Sequence, residues 1–172
     1  AGARLNTVHV TQTHQDGKVV LHIEPETEMY LAGNYTLALN LKDPKGSVKT
    51  INLPVDKAGT VPIENPELWW PNGLGAQPLY ILEFNLLNEG MCIDSEKMRI
   101  GLRTLTVEQK QDEWGETFNF LCNGISIFAR GGNYIPEDVY LNRNNPYSTE
   151  NLIKDCIAAN FNCIRVWGGG IY

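Results

Sequence analysis

The stretch Tyr35–Lys42 constrains the fold most: Tyr35, Leu37, Leu39 and Leu41 alternate without a break with Thr36, Ala38, Asn40 and Lys42. A period of two is the signature of a strand with one buried and one wetted face. The pattern recurs on both sides of it. Leu5, Val8 and Val10 precede a hairpin-type turn at Gln15-Asp16-Gly17-Lys18, and Val19, Leu21 and Ile23 follow. Beyond Asp43-Pro44-Lys45-Gly46 come Val48, Ile51, Leu53 and Val55, then Val61 and Ile63. A long apolar run from Leu79 to Leu87 turns at Asn88-Glu89-Gly90 into Met91 to Leu102. About seven strands in roughly a hundred residues, with no helical pattern, predict a two-sheet, immunoglobulin-like sandwich. The Cys-Trp-Cys signature of antibody domains is absent, and no catalytic cluster falls in this half. It reads as scaffold.

The character changes around Thr104. Leu105, Val107 and Gln109 form an extended run that turns at Asp112-Glu113-Trp114-Gly115, and Phe118, Phe120 and Cys122 lead to Asn123-Gly124. Asn-Gly is the strongest short hairpin signal. The next strand is expected at Ile125–Arg130, ending in Gly131-Gly132-Asn133-Tyr134-Ile135-Pro136. After a polar loop through Pro146, Ser148 or Thr149 is expected to cap a helix whose apolar face is Leu152, Ile153, Cys156, Ile157 and Ala159. Near Asn160 the chain passes into a strand at Ile164 and Val166.

Strand, helix and strand with a parallel crossover mark the start of a βα-type unit. In such units the working residues lie beyond the carboxyl ends of the strands. Asn133 and Tyr134 hold that place after the first strand; Arg165, Trp167 and the glycines hold it around the second. Taken alone, the closing Arg165-Val166-Trp167-Gly168-Gly169-Gly170 stretch is equally a presented site or a flexible turn.

Bulk properties narrow the function classes. The 172 residues are 42% hydrophobic and 20% charged, a globular composition. A net charge of −6 and a pI near 5.0 argue against nucleic acid or an anionic membrane as partner. No apolar run approaches the roughly 18 residues of a membrane span. Neither end reads as a natural terminus: the start lacks both an initiator Met and a signal-type apolar region.

Cys92, Cys122, Cys156 and Cys163 are scattered without metal-type spacing, so buried thiols are expected and no metal or cofactor is. The sequon Asn34-Tyr35-Thr36 is discounted because the segment reads as a regular strand. Trp69 and Trp70 sit in a loop rich in Pro and Gly between the fifth and sixth strands. Two indoles there either stack on a sugar or dock this region against a neighbour, and docking is favoured.

Four motifs together resemble the β-mannosidases of glycoside hydrolase family two: LWWPNG at 68–73, IGLRT at 100–104, FARGGNYIP at 128–136 and NCIRVWGGGIY at 162–172. The RVWGGG form is similar to the mannosidase branch more than to the galactosidase or glucuronidase branches. The resemblance implies an immunoglobulin-like sandwich over residues 1–104 and the N-terminal part of a TIM, or (β/α)8, barrel over 105–172. By that comparison the chain is an internal fragment, the remaining domains of the same polypeptide being its partners. The implied whole is a retaining exo-β-mannosidase removing terminal β-mannose from the non-reducing end of an oligosaccharide. Its two catalytic glutamates would come from later strands, leaving no catalytic residue here and an inactive isolated fragment.

Within that resemblance Trp167 is similar to a tryptophan packing on the apolar side of a sugar. Arg165 resembles an arginine beside the catalytic carboxylates, and Arg130 and Asn133 match an arginine and asparagine at the end of the first strand. Bracing of the barrel floor is an equal reading for that last pair. Glu137 and Asp138 are expected to be solvated or structural. Two other readings stay open: another family-two glycosidase, such as an exo-glucosaminidase or a galactosidase-like enzyme, and a non-catalytic carbohydrate-binding or interaction module using Trp69-Trp70.

Overall fold

The structure, a computed structural model, describes residues 2–169; Gly170, Ile171 and Tyr172, the end of the last motif, lie outside the described residues. The chain is mainly β and divides into two compact units, described in turn: residues 1–69 with 78–103, and residues 70–77 with 104–172.

In the first unit the alternating runs become β1 (Ala3–Gln15), β2 (Lys18–Met29), β3 (Tyr35–Lys42), β4 (Val48–Leu53), β5 (Gly59–Ile63), β6 (Tyr80–Asn88) and β7 (Met91–Ile100). They form a three-stranded sheet, β1-β2-β5, and a four-stranded sheet, β4-β3-β6-β7, all antiparallel. The tight turns are chemically specified. Asp16 and Gly17 (φ 51° and 75°) close β1-β2, and Glu89 and Gly90 (48° and 82°) close β6-β7. Two successive positive φ values are what a hairpin turn matched to strand twist requires. Pro25 and Pro62 are tolerated because each stands where one side of its strand has no partner. β5 pairs with only Val19–Ile23 of β2, leaving Pro25 past its end, and β5 itself is an edge strand.

Alternation decides the core. Val19, Leu21 and Ile23 of one sheet and Leu37, Leu39, Leu82 and Phe84 of the other are fully buried and belong to one apolar cluster. This is the two-layer packing of a sandwich. Ala38, on the expected wet face of β3, is also buried. Its methyl group is short and stands between two longer cross-strand partners, Asn52 and Asn85.

The second unit contains β8 (Leu105–Glu108), β9 (Gln111–Asp112), β10 (Gly115–Glu116), β11 (Asn119–Cys122), β12 (Ile125–Ile127), β13 (Gly131–Tyr134), α1 (Pro146–Ala158) and β14 (Cys163–Val166), with a 3-10 turn at Leu141–Arg143. The antiparallel sheet β12-β11-β8 turns at Asn123 and Gly124 (φ 50° and 78°). β13 and β14 pair in parallel across α1, the expected crossover.

Its first strand is not where the sequence suggested. Ile125–Ile127 pairs backward with β11, and the crossover strand begins six residues later, at Gly131. The glycines that read as a breaker are required inside the ladder. A Cβ on Gly131 would collide with the carbonyl oxygen of its partner residue Cys163, so only glycine allows this approach.

Burial differs sharply between the units. Among the described residues of the second, only Pro71 and Cys122 are buried, while Trp114, Phe128 and Val139 are 88%, 81% and 93% exposed. A full apolar core therefore stabilises the sandwich but not the second unit.

Two outcomes follow from this packing. Phe84→Ala is expected to cost the sandwich about 3–5 kcal/mol, read by chemical denaturation. Gly131→Ala should abolish slow amide exchange in β14 while leaving exchange in β3 and β6 unchanged; retained protection in β14 would show that the approach is not limiting.

A third outcome concerns acid. The Glu28 carboxylate, opposite Arg4 in the β1-β2 ladder, is lowered from 4.5 to about 2 by hydrogen bonds from Arg4 first, then Tyr30 and Asn6. A depressed folded-state pKa contributes stability above the ordinary range that is lost as pH falls toward about 2. Carboxyl NMR should find Glu28 titrating near 2 and moving upward in Arg4→Ala.

Candidate functional site

The parallel pair β13-β14 and the helix between them carry the residues singled out from sequence. α1 begins one turn earlier than Ser148 or Thr149 would place it. Asn145 is the N-cap, its side chain accepting from the Tyr147 and Ser148 amides at 3.1 and 3.0 Å. Pro146 occupies the first turn, where its fixed φ suits the helix and its missing N–H costs nothing. The reading that Pro146 ends the loop failed because Asn-Pro is both a turn signal and a helix start.

In register, Gly132 faces Ile164, Asn133 faces Arg165 and Tyr134 faces Val166. Side chains alternate across a strand, so Ile164 and Val166 share one face and Arg165 the other. Ile164 and Val166 line clefts with Leu152, Ile153 and Cys156 of α1, which makes theirs the helix side. Asn133 and Arg165 therefore project from the opposite face. There the Arg165 guanidinium donates to Asn133 Oδ1 at 3.0 Å. The Trp167 amide donates to the Tyr134 carbonyl at 2.9 Å, extending the ladder by one residue. The indole that follows is 53% exposed.

The structure thus brings Asn133, Arg165 and Trp167 together at the carboxyl end of β13-β14. Asn133 and Tyr134 are the last residues of the strand itself, not loop residues beyond it.

Arg130 is separated from this group. It precedes β13, about 10 Å of extended chain from Asn133. Its backbone, not its guanidinium, makes the visible bonds. The Arg130 carbonyl accepts from the Asn162 and Cys163 amides at 2.9 and 3.1 Å, and its amide donates to Asn162 Oδ1 at 2.8 Å. Asn162 Nδ2 also donates to the Phe128 carbonyl at 3.0 Å. Asn162 is the residue that ties the start of β14 to the approach to β13, a role the sequence does not signal. A single Asn between Phe and Cys carries no periodic signal.

Glu137 is part-buried just after β13. Its Oε1 accepts from Thr149 Oγ1 at 2.7 Å and from the Tyr134 hydroxyl at 3.2 Å. Hydrogen bonding from Ser148, then Thr149, holds the carboxyl below its usual range, partly opposed by desolvation. Desolvation first, and the bond to Glu137 second, push the Tyr134 hydroxyl up, so it remains a donor. Asp138 closes a local turn by accepting from the Tyr140 amide at 2.8 Å and lies 3.8 Å from Arg143.

The double tryptophan separates into two roles. The Arg103 guanidinium carbon lies 4.6 Å from the Trp69 ring centroid, and Gly101 is pressed against the same indole, where a Cβ would come within 2.8 Å. Trp69 is thereby packed within the first unit, its ring engaged in a cation–π contact. Trp70 packs on Gly75, and its amide donates to the Ala76 carbonyl at 3.0 Å, closing the 70–77 loop of the second unit. In that unit Asn72 Nδ2 donates to the Phe161 carbonyl at 3.0 Å. The cysteines are thiols as expected, but only Cys122 is buried; Cys156 is half-buried, and Cys92 and Cys163 are exposed. Asn34 is exposed and lies one residue before β3, outside the regular strand.

Comparison with known proteins fits this architecture. β-Mannosidase B of Emericella nidulans is 34% identical over 169 residues, covering 96% of this chain and 20% of the relative. β-Mannosidase B of Aspergillus flavus is 33% identical with the same coverage. The chain spans about a fifth of the length of the curated relatives it matches. Among solved structures, the β-D-mannosidase of Dictyoglomus thermophilum superposes with a TM-score of 0.90 at 32% identity, over 99% of this chain and 22% of that one. The β-glucuronidase of Ruminococcus gnavus shares the fold, with a TM-score of 0.73 at 18% identity, over 95% of this chain and 26% of that one. The family model described as glycosyl hydrolases family 2 matches residues 3–103, the whole sandwich, and the chain belongs to that family.

Proposed function

We propose that this chain is part of a retaining exo-β-mannosidase, residues 1–104 serving as scaffold and residues 105–172 opening a (β/α)8 barrel. The observation that carries the reading is the Asn133–Arg165 hydrogen bond beside Trp167, on the strand face that α1 leaves uncovered. A parallel sheet with its helix on one side buries the other side in a closed barrel, with function at the carboxyl ends. That end is where the three residues stand. The 34% identity to a β-mannosidase B supports mannose as the sugar.

In this reading Trp167 packs its indole against the apolar face of the terminal mannose. Arg165, with one N–H committed to Asn133, turns its remaining donors toward a catalytic carboxylate and keeps it ionised by charge-assisted hydrogen bonding. Arg130, outside that group, braces the approach to β13. Retaining hydrolysis needs two carboxyl groups about 5 Å apart across the scissile bond. Glu137 and Asp138 are each engaged in local bonds, so both catalytic glutamates are assigned to polypeptide beyond these residues. The substrate is a β-mannoside oligosaccharide, and the remaining domains of the same polypeptide complete the pocket. The Arg103 contact on Trp69 speaks against a sugar-binding module built on the double tryptophan.

The test is hydrolysis of an aryl β-mannoside by the complete protein, with the anomeric proton followed by NMR. Retention should be seen in the first-formed mannose, no turnover by the 172-residue chain alone, and a KM raised about tenfold or more in Trp167→Ala with a smaller change in kcat. Inversion, or faster hydrolysis of a β-galactoside or β-glucosaminide, would overturn the assignment.

A further inference from the structure

We infer that Glu137 is a positioning residue for the sugar-facing tryptophan, acting through Tyr134; this rests on the mannosidase reading for its functional consequence. Tyr134 is held at both ends. Its carbonyl accepts from the Trp167 amide at 2.9 Å, and its hydroxyl donates to Glu137 Oε1 at 3.2 Å. The same carboxylate oxygen accepts from Thr149 Oγ1 at 2.7 Å, closer than that hydroxyl's alternative partner, the Asn145 carbonyl at 3.3 Å. Glu137 therefore ties the end of β13 to the first turn of α1, and Tyr134 passes that tie to the backbone from which the indole projects.

Charge favours the same arrangement. The first turn of α1 contains no acidic residue of its own, and Glu137 places a carboxylate beside its partly positive amide end. The surroundings explain why such a tie is needed. No residue of α1 is buried, and the second unit has almost no apolar core to fix its strand ends. Directed hydrogen bonds do here what packing does in the sandwich. In the bonds described Glu137 reaches Tyr134 and Thr149 and not Asn133 or Arg165, so its direct link is to the strand end from which Trp167 follows.

A stacking surface that binds ground state and transition state alike changes KM more than kcat. The experiment uses the complete protein labelled with 5-fluorotryptophan, the Trp167 resonance being assigned with Trp167→Phe. Glu137→Ala and Tyr134→Phe are each expected to shift or broaden that resonance, whereas Glu113→Ala, in the β9-β10 turn and outside these bonds, is not. In aryl β-mannoside hydrolysis Glu137→Ala should raise KM about tenfold with kcat within about threefold of the parent, and Glu137→Gln, which keeps one acceptor oxygen, should recover most of the loss. An unmoved Trp167 signal in Tyr134→Phe would overturn the tie even if Glu137→Ala failed to fold. A moved signal with unchanged KM would overturn its role at the sugar. A parent protein that does not hydrolyse mannosides would defeat the mannosidase reading separately, with the fluorine signal still deciding the tie.

Discussion

Close contact between two backbones at Gly131 and Cys163 sets the register of β13 against β14, and the site follows from that register. With this alignment Asn133 meets Arg165, Tyr134 meets Val166, and the next amide, Trp167, reaches the Tyr134 carbonyl. A slip by one residue would send every side chain to the other face. Arg165 would then face α1 and the apolar Ile164 and Val166 would face away from it. The desolvation cost of a guanidinium against Leu152 and Cys156 makes that slip unfavourable.

The two units are stabilised by different physics. In the sandwich, apolar side chains from both sheets are withdrawn from water, each of the larger ones contributing about 1.5–3 kcal/mol. In the second unit the described contacts are mostly polar: the Asn145 cap, the Asn162 bridges to Phe128 and Arg130, and Glu137 with Thr149 and Tyr134. Individual hydrogen bonds of this kind add only about 0.5–1.5 kcal/mol, but they fix direction, which apolar burial does not. Direction is what the proposed sugar subsite would require.

The sandwich was legible because its signals are local and repeated. Leu37, Leu39 and Leu41 alternate visibly, and Asp16-Gly17 names its own turn. The crossover was legible as a pattern, but its first strand was placed too early, since Gly131 and Gly132 resemble punctuation unless the partner strand's closeness is known. The helix start was missed because Ser148 and Thr149 are good caps in isolation, whereas Pro146 makes Asn145 the better one. Asn133, Arg165 and Trp167, which the strand–helix–strand pattern points to, stand at one strand end. Arg130 was grouped with them and stands apart. Asn162 and the tie at Glu137 depend on hydrogen bonds between residues up to 34 apart, which no periodicity reports.

The most direct measurement is a crystal structure of the complete protein with a mannose-configured inhibitor bound. The expected result places the sugar ring in van der Waals contact with the Trp167 indole, on the face of β13-β14 opposite α1, with a carboxylate from elsewhere in the polypeptide hydrogen-bonded to Arg165. A sugar bound on the α1 side, or at the Trp69-Trp70 loop with Trp167 untouched, would contradict it.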